Sequence, residues 1–396
     1  MGRLTVTRDA PQRSACPTVV FVFGMGRSGS SALARVLSLC GCGLPAELVG
    51  ATEANPLGHW EPNEALSLNE AFLSLHGANW YDPTLRLQGE VAVDPQQRVA
   101  YVEKIKEFLR SCPSAPLLVI KEPRITALSE YWFEAVRELG FSTGVVIPVR
   151  HPQEVVASLE VRDRASPQLS SALWLKYNLL AERQSRGMPR VFVDYLGLLT
   201  DWRAEISRIS AALSIDLSMR DESAIQSFLQ QDLRRQRHSG ELKEAFGQPW
   251  VSRVYAMLSA GARDEPVDTG ILDEVFDAYR ACESGFRLAH EDFAGRLDSR
   301  PVTPESAGSH DARKPDLARL ICAVAGRDSN LLRQCLTSPW YAMRNPDVVA
   351  ARLDPYHHWL TYGANEGRLP TEDILTLLEG LMKERSGTRT EPHAVA

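Results

Sequence analysis

The apolar run Val19-Val20-Phe21-Val22-Phe23 passes directly into Gly24-Met25-Gly26-Arg27-Ser28-Gly29-Ser30-Ser31, and from there into Ala32–Leu39. In that last segment Leu33, Val36, Leu37 and Cys40 recur at i, i+3, i+4 and i+7, which is one face of a helix. The order is therefore buried strand, glycine-rich turn, helix start. Glycines let successive backbone N–H groups turn inward, and the first turn of a helix adds partial positive charge. Such a loop is built to hold an anion, with Arg27 as a formal cation at its centre. Gly26, Arg27, Ser28, Gly29, Ser30 and Ser31 are the residues expected to line it.

The loop is not that of an ordinary ATPase or GTPase. Those read G-x-x-x-x-G-K-[ST], with Lys on the β- and γ-phosphates and Ser/Thr on Mg²⁺. Gly24 and Gly29 keep the spacing, but Ser30 stands where the Lys belongs. The downstream strand candidates do not end in a clear metal-binding Asp. The expectation is an anion cradle without the triphosphate–metal apparatus, and no metal.

A second element has the same logic. Thr143–Val149 is a buried strand leading to Arg150, and His151-Pro152 then opens a helix with Pro at its first position. Ser158 lies eight residues past Arg150, two turns into that helix. Arg by its fork and Ser by its hydroxyl can converge on one phosphate. An Arg and a Ser at this spacing mean little alone; beside the first loop they read as a second anion contact.

Together these residues resemble the sulfotransferases that use 3′-phosphoadenosine-5′-phosphosulfate (PAPS). Arg27-Ser28-Gly29-Ser30-Ser31 matches that family's R-S-G-[ST]-[ST] loop for the 5′-phosphosulfate, and Arg150, Pro152 and Ser158 match its 3′-phosphate segment. Val191–Thr200 is similar to a following strand and Tyr-Glu-Asp-Leu segment; the Glu-Asp pair is missing, so only Tyr195 carries over. The resemblance covers roughly residues 18–240. It implies PAPS as donor, PAP as product and a hydroxyl acceptor.

Pattern and resemblance agree on architecture. Apolar strand candidates at 19–23, 117–120, 144–149 and 190–193 alternate with helical stretches at 99–110, 152–162 and 202–213. That alternation predicts an α/β, three-layer, P-loop-like fold on a central parallel sheet, with ligands at the carboxyl ends of the strands.

Sulfuryl transfer needs in-line positioning, charge stabilisation on the leaving oxygen and removal of the acceptor's proton. Arg27 is the first candidate for the leaving oxygen; Lys121, ending the strand Leu117–Ile120, is the second, as the resemblance implies. The base stays open among several groups. Glu61 ranks first, in Asn55-Pro-Leu-Gly-His59-Trp60-Glu61, which is similar to an N-P-x-G-[YHF]-[FW]-E segment of bacterial sulfotransferases. Glu122 follows, beside Lys121, then Glu47, twenty residues past Arg27. His59, with a pKa near neutrality, competes with them. Any one of these acids alone reads as well as a solvated charge. Trp60 and Tyr195 are expected either to stack on adenine or sugar or to pack in the core, and Arg234-Arg-Gln-Arg-His238 either to close over the 3′-phosphate or to be a solvated helical face. Acceptor contacts are expected from loops at 44–90 and 160–170.

The 396 residues leave room for one large domain and a smaller one, and the 44% hydrophobic and 24% charged shares are those of a globular protein. A net charge of −6 argues against general affinity for nucleic acid or anionic membranes, while a local cationic pocket stays compatible with it. Seven scattered cysteines without metal spacing fit a reducing compartment. No stretch approaches the roughly 20 apolar residues of a membrane span, and no leader pattern is seen. The expected location is cytoplasmic.

The expected organisation is a tail at 1–17, the main domain at 18–293, a Pro/Ser/Gly-rich linker at 294–316, a helical module at 317–385 and a tail at 386–396. Residues 240–293, with Ile271, Val275, Phe276, Tyr279 and Phe286, are expected to be helical and to pack on the main domain. In the module, Trp340-Tyr341…Asn345-Pro346-Asp347 and His358-Trp359…Gly363…Arg368…Pro370 resemble a short bacterial element appended to glycosyltransferases and other cell-surface polysaccharide proteins. That company implies a carbohydrate or glycolipid acceptor and docking to polysaccharide-assembly proteins. His357-His358 stands without a third ligand nearby and reads as helix packing. Two other functions stay open: a P-loop kinase or NTPase, and a catalytically inactive nucleotide-binding scaffold.

Overall fold

The computed structural model describes residues 17–52, 55–89, 91–229, 236–238, 242–282, 285, 330–345, 348–349, 353–363, 368, 370–371 and 377. The expected linker at 294–316 and the tail at 386–396 lie outside the described residues, as do Phe286, Arg234 and Arg235 of the expected helical and basic runs. The chain divides into two compact units, residues 1–48 with 59–298 and residues 49–58 with 299–396.

Among the described residues the first unit is built on a parallel sheet of four strands: β1 (Thr18–Val22), β2 (Leu117–Ile120), β3 (Ser142–Val149) and β4 (Arg190–Asp194). Their spatial order is β2-β1-β3-β4. Register runs Val20↔Val119 and Val20↔Gly144 on either side of β1, and Val146↔Val191 between β3 and β4. Successive side chains of a strand face opposite ways. Accordingly Val19, Phe21 and Phe23 enter one apolar core, and Val20 and Val22 the other. Both faces being covered explains why the strands read as unbroken apolar runs rather than alternating ones.

The first core is closed by α3 (Pro95–Ser111), α4 (Ser129–Glu138), α5 (Pro152–Asp163) and α6 (Pro167–Gln184), through residues such as Ile105, Trp132, Leu159 and Trp174. The second is closed by α1 (Ser30–Leu39) and α8 (Trp202–Leu213), through Leu33, Val36, Ile206 and Ile209. Helix α2 (Asn63–Leu75) adds Phe72 and Leu73 to the first core, and the short α7 (Tyr195–Thr200) and α9 (Glu222–Phe228) add Leu198 and Ile225 to the second. Helices α10 (Trp250–Ala262) and α11 (Thr269–Ala281) bring Val254, Val275 and Tyr279 onto the first face, as the helical pattern of 240–293 predicts. This is the expected α/β, three-layer arrangement.

The chain leaving β1 turns to one face of the sheet, into α1, while the chains leaving β2 and β3 turn to the other, into α4 and α5. Such divergence opens a crevice at the carboxyl ends of the strands. Pro148 belongs to this geometry. A proline deep in a central strand ordinarily removes a ladder hydrogen bond. Here β1 last pairs at Val22↔Val146, Phe23 N donates to Val146 O at 3.0 Å, and Pro148 lies two residues further along the same side. Its missing N–H would face the crevice, where β1 has already ended.

Two expectations about loops are revised. Residues 160–170 contain the end of α5 and the start of α6, whose first turn is capped by Ser166 Oγ accepting from Leu169 N at 3.2 Å. Residues 44–90 contain α2.

In the second unit, residues 330–336, 339–344 and 355–358 are helical and 359–363 form a single wider turn. The residues that signalled this module knit it together. Asn345 Nδ2 donates to Tyr341 O at 3.0 Å, Arg368 Nη1 to Asn345 Oδ1 at 3.1 Å, and Trp359 Nε1 to Arg368 O at 2.5 Å. A Cβ at Gly363 would lie 2.9 Å from the Trp359 ring, so the close approach requires glycine. His357 is exposed, and the His358 ring faces Tyr362 at 5.8 Å.

Candidate active site

The site assembles from three strand ends. After β1, Gly24 (φ 103°), Arg27 (φ 69°) and Gly29 (φ 91°) take left-handed backbone conformations that curl the loop around its own amide groups. Gly24 N donates to Thr126 Oγ1 at 2.9 Å, tying the loop's entry to the turn after β2. Gly29 begins α1 with no side-chain cap on its first-turn amides. Glycine is needed there for room as well as conformation: a Cβ would lie 2.1 Å from the Tyr195 ring. Ser28 is fully buried, and its Oγ has no hydrogen-bond partner. A buried hydroxyl without a partner is costly, so its presence in an anion cradle fits a ligand oxygen.

Arg27 is held from the neighbouring strand's side. Its Nε donates to Ser158 Oγ at 2.9 Å, across 131 residues of sequence. Its backbone O accepts from Arg150 Nη1 at 2.8 Å, so the two expected anion motifs meet. Arg150 also donates through Nε to Glu154 Oε2 at 2.8 Å and through Nη2 to Gln236 O at 3.3 Å. The Arg150 guanidinium lies 4.7 Å over the Tyr195 ring, which is itself buried in the second core. Tyr195 is thus a platform for Arg150. Of the basic run, Gln236–His238 are described: His238 N donates to Glu154 Oε1 at 3.1 Å, so this short segment crosses the Arg150–Glu154 pair.

Burial, then the like charges of Arg162 and Arg150, pull the Arg27 pKa down to about 10. Arg150 and Arg162 each hold a carboxylate, Glu154 and Asp163, and Arg27 still feels the charge of both guanidinium groups.

Lys121, just past β2, reaches the same helix start. Its Nζ donates to Ser31 Oγ and to His59 O, each at 3.3 Å, and pairs with Glu61. Burial raises the Glu61 carboxyl, but Lys121 and Arg124 outweigh it and hold the group below the usual carboxylate range. His59 beside it is driven by burial down to about 4, so its imidazole is neutral at pH 7. Gly58 (φ 91°) and Trp60 (φ 57°) flank it, and left-handed backbone at a bulky residue is strained. Trp60 is fixed by the Arg35 guanidinium 4.5 Å over its ring and by Phe228 at 6.4 Å edge-on. It packs against α1 and α9, outside the Arg27 loop.

The other acids lie elsewhere. Glu122 is fully buried, Oε1 accepting from Arg124 Nη1 and Oε2 from Asn69 Nδ2, each at 2.5 Å. Asn69 Oδ1 in turn accepts from Tyr101 at 2.6 Å and Trp132 at 3.0 Å. Burial pushes the Glu122 carboxyl up. Its two oxygens are committed to the scaffold behind the site. Glu47 is exposed.

Sequence reasoning missed the third guanidinium group of this crevice. Arg162 forms a forked pair with its neighbour Asp163, Nε to Oδ1 at 2.8 Å and Nη2 to Oδ2 at 2.6 Å. The signal was available: Glu154, Ser158 and Arg162 recur at i, i+4 and i+8, one face of α5.

Among the described residues no cluster of three or more His, Cys, Asp or Glu side chains has metal-holding geometry, and no helix is long and apolar enough to cross a membrane. Cys40, Cys42, Cys112, Cys282 and Cys335 are free thiols.

No protein-family model matches the sequence, and no curated protein matches it. Among solved structures the chain is similar to the sulfotransferase domain from the Synechococcus PCC 7002 olefin synthase, at 18% identity, covering 69% of this chain and 98% of that one with a TM-score of 0.35. It is also similar to the sulfotransferase domain from the curacin biosynthetic pathway, at 16% identity, covering 61% of this chain and 98% of that one with a TM-score of 0.36.

Proposed function

We propose that this chain is a sulfotransferase that moves the sulfuryl group of PAPS to a hydroxyl acceptor. The observation that carries the reading is the meeting of Arg27, Arg150 and Ser158 at the diverging ends of β1 and β3, around the buried and unpartnered Ser28 Oγ. These residues suit a ligand with two separate anionic groups: one on the Arg27 loop and first turn of α1, the other on Arg150.

The roles follow from position. Arg27 and the α1 amides orient the phosphosulfate and stabilise negative charge on the bridging oxygen as the S–O bond breaks. Lys121, held at the helix start by Glu61, adds a second cation there. The sulfuryl group passes to the acceptor oxygen, whose proton leaves to His59; its neutral imidazole can accept that proton, whereas the Glu61 carboxylate is already committed to Lys121. Glu61 is then a positioning residue.

A phosphoryl-transfer reading has one observation behind it, since Lys121 brings an ammonium to the first turn of α1 from a different strand. Calorimetric titration with PAP, ATP and Mg²⁺-ATP separates the two. Micromolar or tighter PAP binding with feeble ATP binding is expected. Preference for Mg²⁺-ATP would overturn the sulfotransferase reading, and PAP binding without turnover on any acceptor would point to an inactive scaffold.

A further inference from the structure

Residues 78–85, which follow α2, contain no helix or strand, yet Ala78, Trp80, Asp82, Thr84 and Leu85 are buried. Buried loop backbone is costly unless its polar groups find partners, which is why connecting segments ordinarily stay on the surface. Here the side chains of two helices supply those partners. From α6, Tyr177 Oη donates to Trp80 O at 3.4 Å and Lys176 Nζ to Asp82 O at 2.7 Å; from α11, Tyr279 Oη donates to Pro83 O at 2.6 Å. A loop pinned in this way holds its side chains in one place, and the largest of them is Trp80.

The Trp80 indole lies directly against the anion loop. A Cβ at Gly26 would stand 3.1 Å from both Cζ2 and Cη2 of that ring, closer than ordinary van der Waals contact. Gly24 and Gly29 are left-handed; Gly26 is not, so its backbone would accept alanine and the indole alone stands in the way. Pro123 Cγ, 3.9 Å from the same point, leaves room for a methyl group. The indole is confined in turn. The Tyr177 ring is 4.9 Å from it, and the Arg124 guanidinium lies 5.4 Å over it. Arg124 is held by Glu122 and Glu70. The buried ion network behind the site thus ends on Trp80, and Trp80 on the loop. The loop's entry is fixed separately, by Gly24 N on Thr126 Oγ1 at 2.9 Å.

We propose that Trp80 is a positioning residue of the donor site, fixing the Gly26 peptide and with it the amide groups that Gly24–Ser31 offer to the anion. The proposal rests on reading Gly24–Ser31 as the donor loop, and it gives the buried Glu122–Arg124–Trp80 chain a part in binding.

The test is a double-mutant cycle over Gly26→Ala and Trp80→Phe, read by calorimetric titration with PAP beside a thermal melt of each variant. Phenylalanine keeps an aromatic ring but is too short to reach the place of Cζ2 and Cη2. Each single change should weaken PAP roughly fivefold, since displacing a binding group by a fraction of an ångström is enough to cost that much. In the Trp80→Phe protein, Gly26→Ala should cost no more than about twofold further, because the space its methyl needs is already open; independent sites would multiply to roughly 25-fold. A merely structural Trp80 would lower the melt without that coupling. Trp80→Leu is the second background if the phenylalanine variant does not fold. PAP affinity within twofold of the unaltered protein's in Gly26→Ala would overturn the proposal, as would losses that multiply in the double variant. An unaltered protein that binds Mg²⁺-ATP and not PAP would overturn the donor reading, and the same cycle read with Mg²⁺-ATP would still decide the role of Trp80. Binding of neither nucleotide would overturn both.

Discussion

At the scale of single residues, Arg27 is held in a conformation and surroundings that the fold itself does not favour. Arg27 takes a left-handed backbone conformation, loses water and faces two other guanidinium groups. Such strain is characteristic of binding sites. Arg27→Ala should therefore leave thermal stability equal or higher while weakening PAP at least tenfold and removing turnover; a melt beside a calorimetric titration shows both. Marked destabilisation would mean that Arg27 is a structural residue. His59 gives a second expectation. A neutral imidazole with a pKa of about 4 cannot produce an acid limb near the ordinary histidine value of about 6.5. The kcat/KM profile should be flat from about pH 5.5 to 8 and fall only as His59 becomes protonated towards its pKa of about 4. Glu61 favours the imidazolium, so Glu61→Gln should move that limb lower still. His59→Gln should cost roughly 10²–10⁴ in kcat, the usual range for a general base.

At the scale of elements, the end of β3 and the start of α5 form one unit, in which Arg150, on the proposed reading, serves both ligand and fold. Its partner Glu154 is 1% exposed. Removing Arg150 strands a buried carboxylate, which typically costs about 3–5 kcal/mol. Arg150→Ala alone should thus lower both PAP affinity and stability. Adding Glu154→Gln should restore a large part of the stability and none of the affinity, a separation that a double-mutant cycle of melts and titrations reads directly. The four strands were legible because burial on both faces turns them into apolar runs, and α5 because Pro152 marks its start. The start of α6 is equally marked, by Ser166-Pro167, within the stretch 160–170 expected to be loop. Contacts were the harder part. That Arg27 and Arg150 share a site followed from motif order, but the Glu61–Lys121 pair and Glu122's sealed position depend on where segments far apart in sequence come to rest. Pattern along the chain does not encode those meetings.

At the scale of the whole molecule, a chain of net charge −6 gathers Arg27, Arg150, Arg162 and Lys121 at one end of its sheet. On the proposed reading, an anion arriving there relieves the desolvation and like-charge cost that Arg27 bears in the folded state alone. Ligand and fold are therefore linked: whatever binds the native site and not the unfolded chain adds RT ln(1 + [L]/Kd) to stability, about 2.7 kcal/mol at a hundred times Kd. For a unit of this size, one kcal/mol moves the melting point by about 2–4 °C. Saturating PAP should accordingly raise the transition of the first unit by roughly 5–10 °C, and Mg²⁺-ATP at the same concentration by far less. Because the contacts are partly buried, raising salt from 0.05 to 0.5 M should weaken the PAP effect without abolishing it. The control is Arg27→Ala, in which the unliganded transition stays level or rises while the PAP-induced shift shrinks. Equal shifts with and without Arg27 would place the nucleotide somewhere other than the loop that follows β1.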